Sequence, residues 1–360
     1  MYDVIIAGSG IAGSTIARGL GGLDVLVLEK NKKAVPKDSG IVSRRFLEHY
    51  DRKFIRHEIT EIELVSRSRR FFLKDENPFA FILHRERFAE FLLRETKKSA
   101  DFKNESIISA DISEKMAVVT TDKGSYEGRV VIGCDGASSA LRKAVGISPP
   151  KLSVGVMVKG GGVKSGHIRT FFNKDYSPDF FSWIIPQSDE YGLMAGSGSG
   201  RCLERFASEQ GLGLGKTYAY MIPTGMTKSY SDRCILAGDA CGQNKPLTGG
   251  GIIFSLIGAR HASSTIKMCA EKNRFDKKIL SLYERAWKKE IAFEIRKQLL
   301  MRRAYARMNN DDIDRIFSDF GSHMESLRGF DYDNFSRSWR HLPKMKLAKF
   351  VISNIHSAFI

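Results

Sequence analysis

Apolar and polar positions along the 360-residue chain change their period repeatedly, and each change marks an element. Val4 to Ala7 is an unbroken apolar run, as expected of a strand buried on both faces. A helix-like stretch follows, then a second such strand, Val25 to Leu28. Lys37-Asp38-Ser39-Gly40 reads as a turn and Val42 to Tyr50 as a helix. Residues 59–74 alternate, which predicts antiparallel strands. Arg85 to Ser99 is expected to be helical, with Phe88, Phe91 and Leu92 on one face. Short strands are expected over 106–132, closing with Val130 to Ile132.

Residues 151–230 are rich in glycines, aromatics and alternating segments, with strands expected at 163–172, Phe180 to Ile185 and Gly192 to Gly196. Cys234 to Ala237 returns to the buried strand type, and a long helix is expected after Gly251. From Phe275 onward the period is helical: Ile279, Leu282, Tyr283 and Trp287, then Phe293, Ile295, Leu299 and Leu300. The pattern implies an α/β protein. A Rossmann-like domain (1–58, 76–150 and 231–272) is interrupted by an antiparallel-sheet domain (59–75 and 151–230), and a helical region follows (273–360).

Chemistry enters with the glycines. Between the first two strands stand Gly8, Gly10 and Gly13 at G-x-G-x-x-G spacing, and the second strand ends on Glu29. The first glycine permits a tight turn, the second lets backbone approach a pyrophosphate, and the third lets helix and strand pack closely. The helix N-terminus offers N–H groups to phosphate, and Glu29 can accept hydrogen bonds from ribose hydroxyls. A dinucleotide site follows, since strand, helix and acid are all in register. Two further stretches extend it. In VVIGCDGASSALR a strand delivers Asp135-Gly136 to a turn, with Ser138 and Ser139 starting a helix; an ordinary N-capped helix has the same appearance. In CILAGDACGQNKPLTGGGI a strand ends at Asp239, suited to polyol hydroxyls, and Gly249-Gly250-Gly251 opens a helix able to stabilise negative charge on a bound ring.

Composition narrows the picture. The content of 42% hydrophobic residues supports a large core. No run of about twenty uncharged apolar residues predicts a membrane span, and no secretory signal pattern precedes the first strand. The five cysteines (Cys134, Cys202, Cys234, Cys241, Cys269) are scattered without metal-ligand spacing, which suits buried thiols in a reducing cytoplasm; no metal is expected. Formal net charge is +16, and residues 259–308 hold 14 Lys/Arg against 5 Asp/Glu. With no nucleic-acid module in the chain, a lipid headgroup or an acidic substrate is the economical partner; a solvated helix face is the plainer alternative.

Over residues 1–270 these motifs resemble the FAD-binding superfamily typified by aromatic hydroxylases. The segment FSWIIPQSDEYGLMAGSG (181–198) is similar to the Y-x-W-x-F-P and V-G-x-G of geranylgeranyl reductases, as are Tyr220 to Pro223 and PLTGGGI (246–252). The resemblance implies an FAD enzyme that hydrogenates geranylgeranyl chains, among them those of archaeal-type ether phospholipids. It implies cofactor contacts at Gly8, Gly10, Ala12, Gly13, Glu29, Lys30, Ser39, Gly40, Arg44, Arg85, Asp135, Gly136, Asp239, Pro246, Gly249, Gly250, Gly251 and Ile252. Phe181, Trp183 and Pro186, with Phe180, would form an apolar wall for the isoprenoid. The chain departs from the family at Phe181 (tyrosine preferred), Ile185 (phenylalanine preferred) and Ser39 (often cysteine).

Ser39, Cys241, Asn244 and Lys245 fall near the expected flavin in chain order, and none stands out as proton donor; Lys245 is expected on the surface. A monooxygenase on the same fold would usually carry Asn where Ile253 stands, and a halogenase W-x-W-x-I-P where Phe181 to Pro186 stand. QGLGLGKT (210–217) lacks the first glycine and the preceding strand of a phosphate loop. With no second dinucleotide fold, the electron donor (NAD(P)H, ferredoxin or a deazaflavin) would bind transiently. The implied location is cytoplasmic with peripheral attachment to the inner membrane face, helped by the basic region and the tail Lys344 to Ile360 as an interfacial helix or a docked one.

Overall fold

The computed structural model describes residues 1–34, 36, 38–163 and 166–334; the tail Lys344 to Ile360 lies outside the described residues. Three sheets organise them. The first has eight strands, and its main path runs Tyr230–Ser231, Cys234–Leu236, Ser125–Gly133, Tyr2–Ala7, Val25–Leu28, Asp101–Lys103. From Cys234–Leu236 to Asp101–Lys103 all neighbours are parallel, while Ile107–Ile112 and Ala117–Thr121 join antiparallel beside Ser125–Gly133. The unbroken apolar runs are explained by this placement: Val4 to Ala7, Leu26, Val27 and Val130 to Ile132 are fully buried between layers.

The second sheet has seven strands in the order Lys216–Pro223, Leu152–Lys159, Glu190–Ala195, Ser182–Ile185, Arg169–Phe172, Glu61–Ser66, Arg70–Lys74. All its pairs are antiparallel except Arg169–Phe172 with Glu61–Ser66. One face (Val156, Val158, Ile184, Leu193) packs on the helix Ser199–Glu209 through Leu203 and Phe206. The other face turns toward the first sheet.

A third, three-stranded sheet (Ile41–Ser43, Ala80–Leu83, Ile55–Ile59) corrects the helix expected at Val42 to Tyr50. Ile41 to Ser43 pair with Ile82 to Ala80, and only the 3-10 turn Arg44–Glu48 follows. The partner strand, distant in sequence, overrides the local preference. Of the strand expected over 163–172, residues 164 and 165 lie outside the described residues and Arg169–Phe172 is strand; the one expected from Phe180 begins at Ser182 and ends at Ile185.

The helix Ile252–Glu271 crosses behind the first sheet against Ile11–Gly19. Helices Lys277–Trp287, Phe293–Arg307 and Asn310–Glu325 follow, the first two joined through a π-helical turn. Ile279, Tyr283 and Trp287 are buried as their spacing predicts. Phe293 and Leu300 are not: they point outward at 67% and 63% exposure, and Ile295 alone of that stretch is fully buried. The reason is rotational, since residues seven apart share one stripe and that stripe faces solvent.

Truncation should separate the two faces. Trp287→Ala removes a fully buried ring whose indole N–H donates to Ser229 Oγ at 3.0 Å, and urea denaturation should show a loss of about 3–5 kcal/mol. Phe293→Ala should stay within about 0.5 kcal/mol of the parent.

Candidate functional site

Four of the five parallel strands end level: Ala7 pairs with Leu28 and with Gly133, and Gly133 pairs with Leu236. The residues just beyond (Gly8, Glu29, Asp135 and Asp239) therefore meet at one sheet edge and line one cavity of about 770 Å³. Gly8 has φ +92°, and a Cβ on Gly13 would sit 1.9 Å from the Gly8 carbonyl oxygen, so both need glycine to fold. Gly10 is different: a Cβ there would meet nothing within 4 Å and would only project into the cavity. Gly10 also precedes the helix Ile11–Gly19 without a side-chain cap, leaving first-turn N–H groups for a ligand.

Polar groups around this end are held in place. The Glu29 carboxylate accepts from Ser9 N at 2.9 Å and from Asn31 N and Nδ2, both at 2.9 Å, which fixes it at the strand end. Asp135 Oδ2 accepts from Ala140 N (2.7 Å) and Leu141 N (3.2 Å), so the ordinary capping reading holds as well. Its Oδ1 is buried without a partner. Gly136, at φ +81°, leaves open space above it. Arg85 grips Asp38 with two hydrogen bonds (2.8 and 2.9 Å), while its Nη1 is buried and unpartnered. Burial pushes the Asp38 carboxyl up, but the guanidinium overcomes this and holds it below the ordinary range. Asp38 also accepts from Gly40 N at 2.9 Å, fixing the Ser39-Gly40 turn on the wall.

The loop before helix Ile252–Glu271 forms the next part of the wall. Gly249 N donates to Lys245 O (2.8 Å) and Lys245 N to Gly250 O (3.0 Å), closing the loop on itself. Gly251 starts the helix with no side-chain cap. Lys245 is the correction here: it lies buried under Gly250, paired with Asp333 Oδ1 at 2.9 Å, at 4% and 0% side-chain exposure. Ser43 Oγ donates to the other Asp333 oxygen, and Lys245 Nζ stands 4.1 Å from the Tyr332 ring centre. Arg302 braces the loop from the side, donating to Pro246 O (3.0 Å) and Ser153 Oγ (2.9 Å). Burial pulls its guanidinium below the ordinary value, with Asp179 opposing.

The remaining wall is apolar. From the second sheet come Met157, Trp183, Met194 and Ile222, with Phe181 just before its strand; from the C-terminal helices come Met301, Tyr305, Ile313 and Phe317, with Met308 between two of them. Trp183 lies across Gly192, where a Cβ would fall 2.6 Å from the indole. Its N–H donates to Glu190 Oε1 at 3.2 Å. Glu190 is fully buried, its Oε2 has no partner, and burial pushes its carboxyl up to about 7 against the pull of Lys159 and of Trp183.

Among the expected contacts, Ala12, Lys30, Ser39, Gly40, Arg85, Gly136, Gly249, Gly250, Gly251, Ile252, Phe181 and Trp183 line the same cavity as the four strand ends. Gly13 lies beneath the loop. Arg44 is exposed outside the wall, because the segment expected as helix turns it outward. Pro246 is buried behind the loop and Pro186 begins a 3-10 turn beyond the strand end; neither is on the wall. Sequence reasoning missed Asp38, Glu190, Arg302 and Asp333. The apolar run Met301, Tyr305, Met308 was readable from its spacing, and Glu190 as the single acid in an apolar strand.

No family model matches the chain. It is 28% identical over 374 residues to digeranylgeranylglycerophospholipid reductase 2 of Methanothermobacter thermautotrophicus (93% of this chain, 94% of that one). It is 25% identical over 387 residues to digeranylgeranylglycerophospholipid reductase of Methanocaldococcus jannaschii (93% and 94%). A geranylgeranyl bacteriochlorophyll reductase-like protein from Thermoplasma acidophilum superposes with a TM-score of 0.85 at 18% identity, covering 99% of this chain and 98% of that one. Halogenase PltM in complex with phloroglucinol and FAD (0.64, 16%, 99% and 84%) shares the fold. So does p-nitrophenol 4-monooxygenase PnpA of Pseudomonas putida (0.68, 15%, 90% and 95%). The likeness to geranylgeranyl reductases read from the motifs therefore extends along nearly the whole chain.

Two measurements probe the site's electrostatics. Lys245→Met or Asp333→Asn alone leaves a buried charge unpaired and should cost about 3–5 kcal/mol in urea denaturation, with the double variant well short of the sum. A cost below about 1 kcal/mol for both singles would mean a solvated pair. The second concerns pH. The folded protein keeps the Glu190 proton to about pH 7 while the unfolded chain releases it near the ordinary glutamate value, so this group's stabilisation fades as pH rises between them. Glu190→Gln should gain stability relative to the parent, on the order of 3 kcal/mol, on going from pH 4 to pH 8. An unchanged difference would place the acid in solvent.

Proposed function

We propose that this chain is an FAD-dependent reductase that hydrogenates the C=C bonds of geranylgeranyl chains, most fittingly those of archaeal-type ether phospholipids. One observation carries the reading: a single cavity runs from a glycine-rich, acid-edged dinucleotide end into a wall of aromatic and aliphatic side chains. The dinucleotide end fits FAD. Gly10 and Gly136 leave space that any side chain would fill, and Asp135 Oδ1 lacks a partner. The N–H groups after Gly10 suit the pyrophosphate, Glu29 the ribose hydroxyls, Asp239 the ribityl chain, and the N–H groups of Gly251 and Ile252 at the helix start the electron-rich ring edge. Arg85, Ser39 and Gly40 complete that wall.

FAD held by these residues would, once reduced, supply the hydride for one carbon of the double bond, with a proton for the other drawn from solvent. The chain's part is alignment and exclusion of water. Phe181, Trp183 and Met194 give the isoprenoid a dry face, and Met301, Met308 and Phe317 continue it. The relatives named as reductases match over nearly their whole length, which supports this reading over hydroxylation or halogenation, where only the fold is shared. A long prenyl lipid stays in its bilayer, so the enzyme works there by peripheral attachment. Among the described residues no helix is long and apolar enough to cross a membrane. Electrons come from a transient donor: NAD(P)H, ferredoxin or a deazaflavin.

Purified protein should be yellow. After anaerobic reduction with dithionite it should add the mass of one hydrogen molecule per double bond to a geranylgeranyl lipid in detergent micelles, read by mass spectrometry. Oxygen-dependent NADPH consumption with a hydroxylated product, or halide incorporation, would replace the proposal.

A further inference from the structure

The helix Phe293–Arg307 has two functional faces. Met301 and Ala304 on its flank, and Met308 just past its end, line the cavity. Its outer stripe, at the spacing of successive helical turns, reads Phe293, Arg296, Leu300, Arg303, Arg307, with Lys297 beside it. Phe293 and Leu300 are two of only seven large apolar side chains exposed among the described residues, and they stand two turns apart on one helix. Among the described residues neither Arg296 nor Arg303 forms an ion pair with an acid. The acids within reach are spoken for: Glu294 is buried, and Glu290 accepts from Arg260 and His261. Lys297 Nζ rests 4.1 Å from the Phe293 ring centre.

We infer that this stripe is the membrane-docking surface, with Phe293 and Leu300 entering an anionic bilayer between arginines that bind lipid phosphates. The inference rests on the prenyl-lipid reading. Charge selects the occupant. A cationic stripe needs an anionic partner, and the chain's own residues 335–360 carry five Lys/Arg and no acid, so they do not complement it. Two large apolar side chains amid cations on one helical face match interfacial insertion better than a polyanion, which gives phenylalanine and leucine nothing to bury against. Docking here also sets the cavity's apolar flank beside the lipid tails, so a chain passes from bilayer to cavity without crossing water.

The test uses the full-length flavoprotein, sedimented with vesicles of phosphatidylglycerol and phosphatidylcholine or of phosphatidylcholine alone. The parent should pellet with the anionic vesicles and release as salt rises. Phe293→Ser with Leu300→Ser, and separately Arg296→Glu with Arg303→Glu, should each weaken partitioning by about tenfold or more. Melting temperature, flavin content and turnover of a micellar geranylgeranyl substrate should stay at parental values, while turnover of vesicle-borne substrate falls. Undiminished vesicle binding by both double variants overturns the assignment. So does a parent that ignores phosphatidylglycerol or binds polyglutamate equally well. Absence of micellar turnover in the parent would sink the reductase reading instead, leaving the vesicle result to stand by itself.

Discussion

Level termination of the parallel strands is the constraint on which the site depends. A parallel pair has a fixed slant and spacing of hydrogen bonds, so matching Ala7 to Leu28 and Gly133, and Gly133 to Leu236, leaves no freedom in where the following residues emerge. Gly8, Glu29, Asp135 and Asp239 are separated by up to 231 residues of chain, yet all stand at one edge. A one-residue slip in any pair would move its functional group along the sheet and exchange the side chains packed in the layers above and below it.

A second layer of control comes from the C-terminal region, which closes the cavity the strands open. Asp333 reaches back to Lys245 under the glycine loop and to Ser43 on the third sheet, and Arg302 binds the Pro246 carbonyl. These contacts are buried ionic or charge-assisted bonds, whose desolvation is offset only when geometry and partners are complete. They tie loop conformation to the folding of the last helices. The loop's N–H groups are then set before any ligand arrives, which is the condition for electrostatic stabilisation without reorganisation.

Polarity along the cavity follows from strand alternation. On the second sheet Gly155, Met157 and Met194, with Ile222 of the neighbouring strand, face the cavity, while Val156, Val158 and Leu193 alternate with them and build a separate core against one helix. Glycine at 192 makes room for the Trp183 ring, and Glu190 holds its N–H from the same face. The wall is thus rigid and dry where a prenyl chain would lie, and the helix that finishes it presents a greasy, cationic back to solvent.

Much of this was legible in the chain order. The G-x-G-x-x-G run, Glu29, Asp135-Gly136, Asp239 and the triple glycine declare themselves because each is a local answer to a backbone or charge requirement beside an unbroken apolar strand. Periodicity likewise marked the buried strands and the helix through Trp287. Other residues carried no local sign. Ile41 to Ser43 became a strand only because Ala80–Leu83 lies beside them, and that pairing turned Arg44 away from the cavity. In chain order Lys245 reads as a surface loop lysine, and it is Asp333, 88 residues on, that buries it; the helical spacing of Phe293 and Leu300 does not say which way the helix is rotated, and packing turns them outward. The chain by itself determined the elements and the chemistry at their ends. Which face each element turned inward, and which distant charges met, depended on packing between segments far apart in sequence, and only the tertiary structure decided that.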